Sequence, residues 1–121
     1  MITTESLDKK WSQCIMLKWN GIDTYSPKVN GKFQLGDDPH HVVPKNRGRA
    51  VRWDLRNGVW LKRFTHTRIH SSSEEQNNFI EWFCRKNRED YEKLIRLASS
   101  TVKIYMDEVN DVLDDYLARY T

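Results

Sequence analysis

The chain contains four histidines, His40, His41, His66 and His70, and each falls in one of two close pairs. His66 and His70 are four residues apart. On a helix that spacing puts two imidazoles on one face, one turn apart, close enough for both to reach a single metal ion. HxxxH pairs also arise among ordinary surface histidines, so the spacing alone leaves ligands and surface side chains both open. The surroundings shift the balance: His40 lies on a strand-like stub upstream, Asn57 falls between, and no histidine stands outside the pattern. Residues 45–68 add eight cations, Lys45, Arg47, Arg49, Arg52, Arg56, Lys62, Arg63 and Arg68, against the single acid Asp54. That density suits a polyanion such as nucleic acid, while charge by itself leaves a solvated basic face with no partner equally open.

The elements that must position these residues follow from periodicity and turn chemistry. Leu7, Trp11, Cys14, Ile15 and Trp19 repeat at helical spacing and predict an opening helix. Asn20 to Asp38 is rich in Gly, Asn, Asp, Ser and Pro and reads as loop, with one short strand at Lys32 to Leu35. His40-His41-Val42-Val43 is a β-favouring stub closed by Pro44. Asn57-Gly58, a hairpin-turn dipeptide, precedes the β-like Val59-Trp60-Leu61. A two-stranded ribbon with an irregular basic loop is expected there, then a short helix from Phe64 to His70. Among Ser71-Ser72-Ser73-Glu74-Glu75, a serine followed three places later by glutamate marks a new helix start. Helices are predicted from Glu74 to Lys86, from Arg88 to Ala98 and from Val102 to Tyr120. The last carries the stripe Tyr105, Val109, Val112, Tyr116 and Tyr120, with Leu113 and Leu117. That stripe could pair with its copy in a homodimer or be buried within one chain.

The segment HHVVPKNRGRAVRWDLRNGVWLKRFTHTRIH, His40 to His70, resembles the HNH or His-metal finger endonucleases. Their motif is a ββα unit with a His-rich first strand, a central Asn and a metal-binding helix. Looser likeness in WSQCI, AVRWDLRNGVWL, EEQNNFIEWF and REDYEKLIRLAS extends over most of residues 11–100. It is similar to phage-encoded HNH recombination nucleases of the NinG/Rap type. Many of those carry two cysteine pairs around a structural zinc. Here Lys62 and Thr65 stand where the second pair is expected, and no first pair occurs in residues 20–36.

The resemblance implies a metal-dependent endonuclease that cuts branched or double-stranded DNA to 5′-phosphate and 3′-hydroxyl ends. It makes His40, His66 and His70 the ligands of one divalent ion. Three imidazoles favour Zn, Ni, Mn or Co over Mg. His41, on the other side of the strand from His40, becomes the general base. Asn57 would fix His41 by bonding backbone across the loop; as an isolated dipeptide, Asn57-Gly58 would be a turn and no more. Arg68 or Arg52 would neutralise charge at the reacting phosphate, and Lys45, Arg47, Arg49, Arg56, Lys62 and Arg63 would grip DNA. Trp53 could stack on a base, although an aromatic beside so small a ribbon is more often core. The contrasting reading is a catalytically inactive DNA-binding or regulatory protein on the same scaffold.

Size and charge set the frame. At 121 residues, one domain of α+β class is expected, a ββα-metal core at about 38–71 flanked by an N-terminal helix and a helical extension at about 73–120. Residues 1–70 hold 13 Lys/Arg and 6 Asp/Glu, residues 71–121 hold 7 and 11, so the net charge of +3 conceals a basic half and an acidic half. No run approaches a membrane span and no secretion signal opens the chain, so a cytoplasmic protein is expected. Cys14 and Cys84 are too few for a disulfide framework and form no CxxC pair.

Overall fold

Helix α1, Thr4–Lys18, starts three residues before its apolar stripe because Thr3 and Ser6 cap each other: each hydroxyl accepts the other's backbone N–H at 3.0 Å. The computed structural model describes residues 1–121, and its architecture is α+β, five α-helices with two two-stranded antiparallel sheets. Leu7, Trp11, Cys14 and Ile15 form the buried face of α1, the stripe read from the sequence. No helix is long and apolar enough to cross a membrane.

After α1 the chain makes a small hairpin of β1, Ile22–Asp23, and β2, Gln34–Leu35, one strand more than the composition of this segment suggested. The site ribbon is β3, Asp38–His41, paired with β4, Gly58–Leu61, in the register His40↔Val59 and His41↔Gly58. Val42 and Val43, expected within the strand, follow its end and are buried beyond it. The connection between the strands is less irregular than its sequence implied. It contains a 3-10 turn at Lys45–Arg47 and the one-turn helix α2, Arg49–Arg52.

Asn57-Gly58 is not the centre of a tight hairpin. The turn precedes it, closed by the Asn57 N–H donating to the Asp54 carbonyl at 3.0 Å, and Gly58 begins β4 with φ outside the left-handed region. Gly58 is needed for close approach instead. A Cβ there would lie 2.6 Å from Ile15 and 2.8 Å from Trp11, so only a glycine lets α1 sit this near the strand.

Helix α3, Arg63–Ile69, follows β4 directly, and α4, Ser73–Ala98, starts from a Ser72 cap whose Oγ accepts the Glu75 N–H. The two helices predicted over 74–98 run on as one with a kink. Asn87 leaves helical geometry (φ −128°, ψ 31°) and its Nδ2 donates to the Phe83 carbonyl at 3.2 Å. Helix α5, Met106–Tyr120, starts later than its apolar pattern and packs on α1. Leu113 is fully buried there, and the Lys10 ammonium meets Asp114 at 2.7 Å and Asn110 at 2.8 Å. Much of the α5 stripe is therefore covered by α1, while Tyr105, Val112 and Tyr120 stay exposed.

Three packed groups hold the ribbon in place. Leu7, Trp11, Cys14, Ile15, Trp53 and Leu113 lie on the α1 side. Val42, Val59, Leu61, Ile69, Phe79 and Phe83 join the ribbon to α3 and α4. Val43, Val51 and Leu94 tie the β3–β4 connection to the second half of α4. Full burial of one such side chain contributes about 1.5–3 kcal/mol, so few contacts are needed to anchor each histidine-bearing element.

Candidate metal centre

The strand β3 and the helix α3 bring three imidazoles together. One potential ligand atom from each of His40, His66 and His70 lies within 4.8 Å of the others, close enough to bind a metal ion. The rings of His40 and His66 are 4.8 Å apart, those of His66 and His70 5.0 Å. His40 is held from behind by Phe79, edge to face at 4.8 Å, and only 5% of it is exposed.

The electrostatics fit a cation held by neutral ligands. Burial, and then the repulsion of His66, His70 and His41, pushes the His40 imidazole down to about 3. Burial followed by the neighbouring His70 lowers His66 too, against a small opposing pull from Asp38. Nδ1 of His40 is buried without any hydrogen-bond partner, an arrangement native proteins seldom leave unexplained. Tetrahedral ligands about 2.05 Å from zinc are about 3.3 Å apart. A separation at the 4.8 Å limit of this cluster would have to shorten to reach that spacing.

His41 faces the opposite side of β3, where Trp11 stacks on it at 4.1 Å with the planes 11° apart. Its Nε2 lies 2.9 Å from the Arg52 carbonyl. A carbonyl only accepts, so Nε2 carries the proton and Nδ1 keeps its lone pair. Burial lowers the affinity of His41 for a second proton; the Arg52 carbonyl opposes that and the charge of nearby Lys45 adds to it. The ring is thus biased toward its neutral, basic form.

Asn57 holds the β3–β4 connection on either side, including the Val51 carbonyl one residue before the Arg52 carbonyl that His41 meets. Fully buried, it accepts the Val43 N–H at 2.7 Å and donates to the carbonyls of Val43 and Val51 at 2.9 and 2.8 Å. One carboxamide therefore clamps both ends of the β3–β4 connection, across from the strand end that bears His41.

The cations divide sharply. Lys45 and Arg47 line a cavity of about 580 Å3 together with all four histidines. Arg49 and Arg56 line a separate groove. The other predicted contacts are engaged elsewhere. Arg52 makes a two-pronged pair with Asp8 at 3.0 and 2.7 Å, Arg56 pairs with Asp54, Arg63 with Asp38, and Lys62 donates to Gln34. Arg68 stands outside the histidine cavity, its guanidinium 3.4 Å from Glu75 and 6.0 Å above the Phe64 ring. Neither arginine expected beside the reacting phosphate reaches the cavity, because each has a local carboxylate. Trp53 is 4% exposed and donates to Asp8, which makes it core rather than a base-stacking platform.

Several site residues lie outside the motif. Asp8 and Trp11 come from α1, Gln76, Asn77 and Tyr91 from α4, all lining the cavity. The spacing of Asp8 and Trp11 on a helix gave no sign that they flank a histidine far along the chain. Where the missing cysteine pairs were expected, a buried hydrogen-bond knot is found. The Asp23 carboxylate accepts from Ser26 Oγ at 2.6 Å and from the Lys62 N–H at 2.8 Å, and Ser26 Oγ meets Thr65 Oγ1 at 2.5 Å. It ties the β1–β2 hairpin to the start of α3, just ahead of His66. Compared with protein-family models, with curated proteins and with solved structures, the chain gives no match.

Proposed function

We propose that this protein is a metal-dependent endonuclease of the HNH type, hydrolysing DNA phosphodiester bonds to 5′-phosphate and 3′-hydroxyl ends. One observation carries the reading: a fourth imidazole, His41, shares a cavity with the three-histidine cluster and has its Nε2 tied to a backbone carbonyl. Three clustered histidines alone would serve a structural metal equally well. A basic imidazole beside them adds a group able to take a proton.

The donor set of His40, His66 and His70 suits Zn, Ni, Mn or Co, with Mg held weakly. When bound, such an ion supplies positive charge for a phosphate oxygen and for the departing 3′ oxygen. The chain's own groups do the rest. His41 accepts a proton from the attacking water at Nδ1, and the imidazolium is stabilised through Nε2–H by the Arg52 carbonyl. The flat face of Trp11 keeps the ring from turning. Lys45 and Arg47 hold the phosphate chain at the cavity.

The test is cleavage of supercoiled plasmid and of a synthetic four-way junction, with Mn, Mg, Zn or EDTA, by the wild type and His41→Ala. Metal-dependent cutting that falls by about 100-fold or more in the variant, the usual worth of a general base, while metal binding is retained, supports the reading. DNA binding without cutting under every metal would replace it with the inactive DNA-binding alternative.

A further inference from the structure

The cavity over the histidines is larger than a phosphate group needs. It holds about 580 Å3, whereas a phosphate displaces only a few waters of roughly 30 Å3 each. Volumes of about 300–1,000 Å3 are typical of sites that enclose an organic ligand. Its walls beyond the histidines are of two kinds. Ile80, Tyr91 and Ile95 along α4 supply aliphatic and aromatic surface, while Asn46, Gln76 and Asn77 supply carboxamides. An aliphatic and aromatic wall receives the face of a nucleobase, and carboxamides both donate to and accept from its edge. Lys45 and Arg47 of the basic turn line the same cavity as Tyr91. His40 is 5% exposed, so a reacting phosphate must enter the recess rather than lie on a flat surface.

We infer that this recess takes an unpaired nucleotide, its base against Tyr91 and the α4 wall and its phosphate toward the histidines, so that the substrate class is single-stranded or locally unpaired nucleic acid rather than intact duplex. A paired, stacked base offers neither of its faces and would leave most of the recess empty. The inference rests on the nuclease reading and narrows it.

The experiment uses one labelled strand of about 12 nucleotides, within the usual footprint of a strand-binding groove. It is presented alone, as duplex, and as duplex with a central bulge. Cleavage is read with Mn, binding by anisotropy in EDTA, and hydrolysis of bis(p-nitrophenyl) phosphate is followed for the wild type and His41→Ala. Two variants are compared: Asn77→Trp, which plugs the recess from an exposed position and keeps the core intact, and Tyr91→Ala. The expected result is single-strand and bulge cleavage at least about tenfold above duplex in kcat/KM, with that ratio falling about fivefold or more in Asn77→Trp. Strand binding in Tyr91→Ala weakens by about tenfold, in line with one lost base stack. Equal cutting of duplex and single strand, or a ratio unmoved in both folded variants, overturns the inference. Failure of the wild type to cut any of the three DNA substrates or to hydrolyse bis(p-nitrophenyl) phosphate with any metal overturns the nuclease reading instead. Strand-selective binding that Asn77→Trp removes would still support the recess in that case.

Discussion

Replacing Asn57 by alanine should destabilise the chain by about 3 kcal/mol while removing no contact with metal or substrate. The carboxamide makes three hydrogen bonds, but their loss is unequal. The Val51 carbonyl keeps a second donor, the Asp54 N–H at 3.3 Å. The Val43 N–H and carbonyl depend on Asn57, at 2.7 and 2.9 Å. Each orphaned buried group costs about 1–3 kcal/mol, so two bracket the loss at about 2–6 kcal/mol, and a water entering the vacated volume moves it toward the lower half. For a chain of this size that is a fall in Tm of roughly 10–15 °C. Urea unfolding followed by the fluorescence of the five tryptophans reads it directly. The exposed Asn46→Ala serves as control and should shift stability by less than about 0.5 kcal/mol. A loss below about 1 kcal/mol in Asn57→Ala at unchanged m-value would refute the clamp, since those two backbone groups would then have found partners without it. If the clamp is real, His41 loses its fixed partner as the connection loosens, and hydrolysis should fall in the residual folded protein.

Zinc or manganese at about 100 times its dissociation constant should add about 2.7 kcal/mol, several degrees of Tm, and His66→Ala should cancel the gain; a wild type whose Tm ignores every divalent ion would rule out the histidine cluster as a metal centre. In the metal-free chain, His40 is held neutral at about 3 against an ordinary value of 6.5, so the unfolded state binds the extra proton. Stability is then full above about pH 6.5 and falls as pH drops toward 3, by at most roughly 5 kcal/mol. Urea titrations in EDTA at pH 7.5, 5.5 and 4 would measure it, and a flat profile would show that His40 is not buried. Gly58→Ala should cost about 1–3 kcal/mol, because its Cβ would fall 2.6 Å from Ile15 and 2.8 Å from the Trp11 ring that stacks on His41; unchanged melting would mean α1 packs less closely on β4 than described. Asp23→Ala takes the acceptor from the Lys62, Tyr25 and Ser26 N–H groups and leaves the Ser26 hydroxyl only Thr65, with an expected loss of about 2–4 kcal/mol by thermal unfolding. A neutral result would remove the knot's role in seating α3.

Local pattern was enough for much of this molecule. The α1 stripe, the Ser72 cap of α4 and the HxxxH pair, His66 on α3 and His70 capping its end, depend on periods of 3.6 and on side chains bonding their own backbone, and such short-range rules are written in consecutive residues. The opposite facing of His40 and His41 follows likewise from the two-residue period of a strand. Asn57-Gly58 shows where local rules mislead: both residues favour a turn, yet Asn57 is taken up by the two ends of a connection it must hold closed, and Gly58 by the nearness of α1. The basic run was legible as charge, but which cations face the histidines was not. Arg52 and Arg63 are drawn away by Asp8 and Asp38, 44 and 25 residues distant in the chain, and Arg68 by Glu75. Trp11 against His41, and Tyr91 across from Arg47, are likewise meetings of segments that no spacing relates. Residue types and their period determined which groups could do chemistry; only the packing of α1 and α4 against the ribbon decided which of them share a cavity, because burial and long-range pairing are properties of the folded surface and not of neighbours along the chain.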